Sequence, residues 1–364
     1  MPAPPRTSWQ RWRRRLLLAV AASAFALGAA EATLRLAAWF GHDDELVRWR
    51  QQSAAGAALA PGQPVRLGQM VRPAADPAIV YELLPQLDVE FQRHRVVTGA
   101  RGCRGGDPPL PRPDGAFVVL GLGDSVLFGS GVATEATFLA RLQQRLAAHL
   151  APRPVVAVNT GVPGYNTAME VATLRAKWLD LRPDIVVIDF VDNDFDLPNF
   201  LLLPPDPLRL DRCFLYDLAY RTLRQGRRPN GPLEPAPMQD RFRFVSDPDR
   251  VPAAYRTMVG PAGYRRALEQ LVELARAHGF RVVVSCHTAI DPEARAIATA
   301  LGLPIVTAEA RQRAWLHEHG DPALRDSALV VAPDDLHPSA IGHDLLAEEL
   351  FTFLVASSWL PAGK

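Results

Sequence analysis

The sequence predicts an α/β fold in which helices cover both faces of a parallel sheet, and three observations carry that prediction. Apolar strand-like runs alternate with helical patterns from residue 116 to residue 356. The helical stretches show one apolar face and defined stops: Leu268, Leu271, Val272 and Ala275 line one side of Ala262–His278, and Gly279 ends it. Composition is that of a folded chain, with 48% apolar and 22% charged residues over 364 positions.

The N-terminus reads as a membrane address. Residues 1–15 form a basic tail with Arg6, Arg11, Arg13, Arg14 and Arg15. Residues 16–40 follow as a largely apolar segment, long enough for a helix across a hydrocarbon layer of about 30 Å. Glu31 at mid-bilayer would cost about 2.5–3.5 kcal/mol if isolated, but it lies in the distal half and can pair with Arg35 at i,i+4 spacing. The arginines stay cytoplasmic, so an inner-membrane anchor would leave everything after Phe40 on the extracytoplasmic, periplasmic side. A cleaved signal peptide ending at Gly28-Ala29-Ala30 is the alternative, and it delivers the chain to the same side.

Residues 41–115 lack strong periodicity, end in the Gly/Pro-rich stretch 102–115, and read as an extension wrapped on the edge of the main domain. That domain spans 116–358. Its strands are expected at Ala116–Gly121, Val155–Asn159, Ile185–Phe190, Arg281–Cys286 and Leu303–Val306. Helices are expected at Phe138–Leu150, Ala168–Leu181, Ala262–His278, Pro292–Leu301 and Ala340–Ala356. An insertion, 196–261, breaks the rhythm; it is a lid over the site or an inert surface decoration. A net charge of +1 gives no electrostatic case for nucleic acid. Cys103, Cys213 and Cys286 lack C-x-x-C spacing, which argues against zinc and allows at most one disulfide; Cys286, in an apolar run, reads as a buried small hydrophobe.

Chemistry is expected at the carboxyl ends of the strands. The first ends abruptly in Gly123-Asp124-Ser125, which brings a serine hydroxyl and its backbone N–H to the crevice above the sheet. The second ends in Asn159-Thr-Gly-Val-Pro-Gly164. Gly164 is either a plain turn glycine or one whose N–H approaches a bound carbonyl oxygen. Past the third strand, Asn193 offers a side-chain amide to the same oxygen, among Asp189, Asp192 and Asp194. Those acids cap the next turn or bond to neighbouring loops, with a divalent-cation site as the rival reading. Near the C-terminus, Asp334-Asp335-Leu336-His337 supplies a base and an acid. His337 would take the proton from Ser125. Asp334 at i−3, rather than the adjacent Asp335, suits a turn that folds back on the imidazole. His343 reads as packing or solvent, His317 and His319 as surface, and His287 as a candidate to line the crevice.

These four stretches resemble the four blocks of the SGNH (GDSL-type) hydrolases over about 116–356. The resemblance makes Ser125 the nucleophile and His337 the base, with Asp334 the acid of the family's Asp-x-x-His. Ser125, Gly164 and Asn193 would form the oxyanion hole. It implies a three-layer α/β/α flavodoxin-like fold and ester hydrolysis without metal or other cofactor. Gly102-Cys-Arg-Gly105 resembles membrane-anchored bacterial members. One departure is Asp192, where the family usually has glycine; a carboxylate facing inward there would weaken catalysis. The expected activity is a serine esterase acting on O-acyl esters of envelope or secreted carbohydrates or lipids. The rivals are an acyltransferase to sugar hydroxyls using the same site, and a catalytically quiet carbohydrate-binding or assembly module.

Overall fold

The computed structural model describes residues 8–40, 59–197, 208, 210, 213–216, 218–219, 246–251 and 253–361. The chain divides into two compact units, Met1–Arg48 with Leu202–Arg241, and Trp49–Leu201 with Phe242–Lys364.

In the first unit, α1 runs over Ser8–Phe40. Its Trp12–Ala37 stretch has a mean hydropathy of 1.7 and is long and apolar enough to cross a membrane, as an anchor or a signal sequence is. Glu31 and Arg35 form the i,i+4 ion pair that the spacing predicts, at 2.9 Å. The Glu31 carboxylate also accepts the backbone N–H groups of Phe214 and Leu215, at 3.0 and 2.9 Å. Arg35 lies 5.0 Å from the Phe214 ring centroid. An acid that would be costly alone is therefore saturated with donors. Most of the predicted insertion, and with it the lid reading, lies outside the described residues.

The second unit begins with what the sequence left as an aperiodic extension. It holds β1 (Gln63–Pro64), β2 (Val71–Pro73), β3 (Tyr81–Leu83), β4 (Asp88–Phe91) and β5 (His94–Val97), in two small sheets. Strands of two to four residues carry too few alternations to show a period.

The main sheet comprises β6 (Phe117–Leu122), β7 (Val155–Asn159), β8 (Ile185–Asp189), β9 (Arg281–Cys286) and β10 (Ile305–Thr307), all parallel, in the order β10-β9-β8-β6-β7. The one-turn α2 (Ser125–Phe128) leaves β6, and α3 (Phe138–His149), α4 (Thr167–Lys177), α5 (Gly260–His278) and α6 (Pro292–Ala300) follow. Next come α7 (Glu309–Glu318), which the sequence reading missed, a hairpin of β11 (Val330–Ala332) and β12 (Asp335–Pro338), and α8 (Ala340–Ala356). Successive side chains of a strand face opposite ways, so each strand feeds two cores. Leu120, Val186, Ile188, Val282 and Val284 pack with Val171 and Leu174 of α4, Leu268 and Leu271 of α5, and Ile297 of α6. Phe117, Val119, Ile185, Val187 and Val283 pack with Leu139, Leu142 and Leu146 of α3 and Leu346, Leu350 and Leu354 of α8. This is the predicted three-layer flavodoxin-like arrangement, and strand order reverses at β6, opening a crevice at its carboxyl end.

Leu268 is fully buried in the first core. Leu268→Ala should cost about 2–5 kcal/mol, read as a lower urea midpoint at unchanged slope. A loss well under 1 kcal/mol would mean that α5 does not cover that face as described.

Candidate active site

At the end of β6 the chain turns at once into α2. Asp124, 1% exposed, caps it by accepting the Val126 N–H at 2.9 Å. Gly129 stops it at φ +85°, with its N–H on the carbonyls of Ser125 and Val126. This turn carries Ser125 at its start. Ser125 Oγ lies 3.1 Å from Asp124 Oδ2 and 2.8 Å from His337 Nε2, bridging 212 residues of sequence.

His337 sits on β12, whose hairpin partner pairs Ala332 with Asp335 across a turn at residues 333–334. Asp335 and His337 are two apart on one strand and so share a face. Asp335 Oδ1 lies 2.5 Å from His337 Nδ1 and accepts the His337 backbone N–H at 3.2 Å. The structure thus sets Asp335 against the ring, where the sequence reading expects Asp334. Asp334 occupies the exposed turn, and the i−3 spacing would serve only if the histidine followed a turn instead of standing in a strand.

The predicted oxyanion residues stand on the neighbouring strand ends. Gly164 lies in the loop after β7 at φ +81°, a conformation that a side chain would strain. Asn193 lies in the short helical turn after β8, and its Nδ2 donates to the Tyr165 carbonyl at 3.2 Å, which joins the two loops. The loop after β7 in turn bonds to the β6 end, Val162 N–H to the Gly123 carbonyl at 3.1 Å. The extension supports the same loop: the Tyr81 hydroxyl donates to the Pro163 carbonyl at 2.9 Å, the Tyr165 hydroxyl donates to the Tyr81 carbonyl, and the two rings meet edge-on at 5.2 Å. Asn166, fully buried, caps α4 and donates to the carbonyls of Asp196 and Met258. Nothing in the sequence singled out Tyr81 or Asn166, because their partners are backbone carbonyls far along the chain.

Asp192 is exposed and lines a cleft of about 280 Å³ with Phe195, Ile290 and Asp291. Its neighbours turn inward. Asp194 accepts from Val191 N–H at 2.7 Å and Thr167 Oγ1 at 2.9 Å, and Asp189 accepts from Ser285 Oγ at 2.5 Å. Glu170 of α4 is buried beside them, and among the described residues neither of its carboxyl oxygens has a hydrogen-bond partner. Burial, reinforced by the charges of neighbouring acids, pushes Glu170, Asp189 and Asp194 well above the usual carboxylate range. The folded chain therefore keeps protons that the unfolded chain has released, and stability is lost as pH rises above the ordinary carboxylate pKa. Glu170→Gln removes one such proton. We expect its melting temperature to fall less than the parent's between pH 5 and pH 9; parallel curves would exclude a neutral Glu170.

Among the described residues the other histidines are not part of the chain Ser125–His337–Asp335. His343 is buried, accepts the Phe138 N–H at 3.2 Å and stacks on that ring, and burial pushes it down to about 3. His287, past β9, is pushed down to about 4 by burial and by the charge of His337. His317, on α7, and His319, just past its end, are exposed. Cys286 is buried and pushed up to about 12, as a packing thiol is.

A family model described as GDSL-like lipase/acylhydrolase matches residues 122–345. Among curated proteins none matches the chain. Solved structures that resemble it include an alpha/beta hydrolase enzyme from the metagenome of Lake Arreo, Spain, at 19% identity over 68% of this chain and 97% of that one, with a TM-score of 0.39. The lipase/acylhydrolase from Enterococcus faecalis is 17% identical over 66% and 96%, at 0.38. A two-domain esterase active on acetylated mannans, co-crystallized with mannopentaose, is 17% identical over 68% and 52%, at 0.42.

Proposed function

Since the chain belongs to the GDSL-like lipase/acylhydrolase family and is an ester-bond hydrolase, we propose that it works as a serine esterase through Ser125, His337 and Asp335. The observation that carries this reading is the 2.8 Å contact between Ser125 Oγ and His337 Nε2, backed by Asp335 on the far ring nitrogen. The carboxylate holds Nδ1 protonated, which leaves Nε2 free to accept. Ser125 has one hydroxyl proton and two acceptors, Asp124 Oδ2 and His337 Nε2. Attack proceeds when the proton goes to His337.

Oγ adds to the acyl carbonyl, and charge develops on the carbonyl oxygen. The backbone N–H groups of Ser125 and Gly164 and the second N–H of the Asn193 amide receive it, and each such donor is worth about 10²–10³ in rate. His337 then passes its proton to the leaving alcohol. A water, deprotonated by the same ring, releases the acid. Asp192 does not oppose this in our reading, since solvent screens an exposed carboxylate.

The substrates we assign are O-acyl esters of envelope or secreted carbohydrates or lipids, reached on the extracytoplasmic side if α1 anchors or exports the chain. A serine-directed fluorophosphonate should label Ser125 and no other serine, as mapped by mass spectrometry. Hydrolysis across acetyl to long-acyl aryl esters then fixes the acyl length. Turnover of those esters with no label at Ser125 would sink the mechanism.

A further inference from the structure

The Gly102-Cys103-Arg104-Gly105 stretch has no part in the chemistry above, yet its arginine reaches the nucleophile's turn. Arg104 is 4% exposed. Its guanidinium meets four neutral oxygens: Nη1 donates to the carbonyls of Phe128 and Gly129, the latter at 2.6 Å, Nη2 to that of Val132 at 2.6 Å, and Nε to Thr134 Oγ1 at 3.3 Å. The guanidinium carbon also lies 4.5 Å from the Phe128 ring centroid. Its backbone N–H donates to the Asn159 carbonyl at 2.9 Å, which fixes the residue to the edge strand β7. Asn159 adds a donor of its own, Nδ2 to the Leu127 carbonyl at 2.7 Å.

The carbonyls of Leu127 and Phe128 stand in the last turn of α2, and those of Gly129, which also accepts the Val132 N–H at 3.2 Å, and Val132 lie in the loop that follows. A helix of four residues cannot hold itself, because one turn fixes several dihedrals for a single hydrogen bond. Its own caps hold it in part, and among the described residues the side-chain donors to these carbonyls come from Arg104, with three, and Asn159, with one. Among the described residues no carboxylate bonds to this cation; burial pushes the guanidinium down to about 10, with the charge of Glu135 acting the other way. The fit is also tight at Gly129, where a Cβ would come within 3.0 Å of Arg104 Nη1.

We propose that Arg104 is a positioning residue for the nucleophile, holding the turn 125–132 so that Ser125 Oγ meets His337 Nε2; this rests on the esterase reading above. Arg104→Lys tests it. Lysine keeps the charge but presents a compact ammonium, which cannot span carbonyls from Phe128 to Val132 and also reach Thr134. A misplacement on the order of 1 Å costs about 10² in rate, so kcat for a short-chain aryl ester should fall about 10–100-fold at a KM within about twofold of the parent. The rate constant for fluorophosphonate labelling should fall by the same factor, since it reads the serine without any deacylation step. A lower melting temperature with kcat per folded molecule intact would mean that the arginine only stabilises the fold, and would overturn the proposal. If Arg104→Lys does not fold, Thr134→Val, which removes only the 3.3 Å contact, decides: slower labelling supports the proposal and labelling equal to the parent overturns it. A parent protein that neither hydrolyses the ester nor labels would instead refute the esterase reading, and this assignment with it.

Discussion

Replacing Ser125 with alanine is expected to lower kcat/KM for a short-chain aryl ester by about 10⁴ or more while the fold is kept. The expectation follows from where the hydroxyl sits. Ser125 is partly exposed and belongs to neither apolar core, and among the described residues its Oγ hydrogen-bonds Asp124 and His337, so its loss opens no cavity in either core. The Asp124 cap on Val126 N–H also survives the change. A melting curve close to the parent's, with hydrolysis reduced to the level that His337-assisted water attack allows, is the result that fits. Substantial turnover by a folded Ser125→Ala protein would mean that the ester is cleaved elsewhere.

The second large effect separates two adjacent acids. Asp335→Asn should lower kcat by about 10²–10⁴, because an amide can donate to Nδ1, favouring the tautomer with its proton on Nε2, where it cannot accept from Ser125. Asp334→Asn should leave kcat within about twofold, since that side chain stands exposed on the hairpin turn. Measuring both at one pH, with melting curves, gives a direct answer. Collapse of activity in Asp334→Asn, with Asp335→Asn near the parent, would show that the loop carrying His337 folds otherwise than as a strand.

That pair also marks the limit of what residue spacing reveals. Ser125, Gly164, Asn193 and His337 were legible because each follows a long apolar strand or stands in a motif of fixed order, and chain order alone sends such positions to one edge of a parallel sheet. The choice between Asp334 and Asp335 depends on whether two residues before histidine are turn or strand. β11 and β12 have three and four residues, too short for a period to announce them. Tyr81, Asn159 and Arg104 escaped for another reason. They act by donating to main-chain carbonyls, and any residue supplies a carbonyl, so no side-chain pattern records the match. Glu170 escaped because an acid on a helix ordinarily reads as a solvated face, whereas here residues 169–174 of α4 are all buried where the helix packs on the sheet and α5.

The distance in sequence between nucleophile and base has a bearing on biosynthesis. A nascent chain that has emerged only as far as residue 334 already carries its serine but neither the imidazole nor the acid, and it also lacks α8, which closes one face of the sheet. Ribosomal synthesis runs from the N-terminus at about 5–20 residues per second, so the serine emerges about 10–40 s before the imidazole that our reading pairs with it. On our reading, reactivity waits for the hairpin that carries Asp335 and His337.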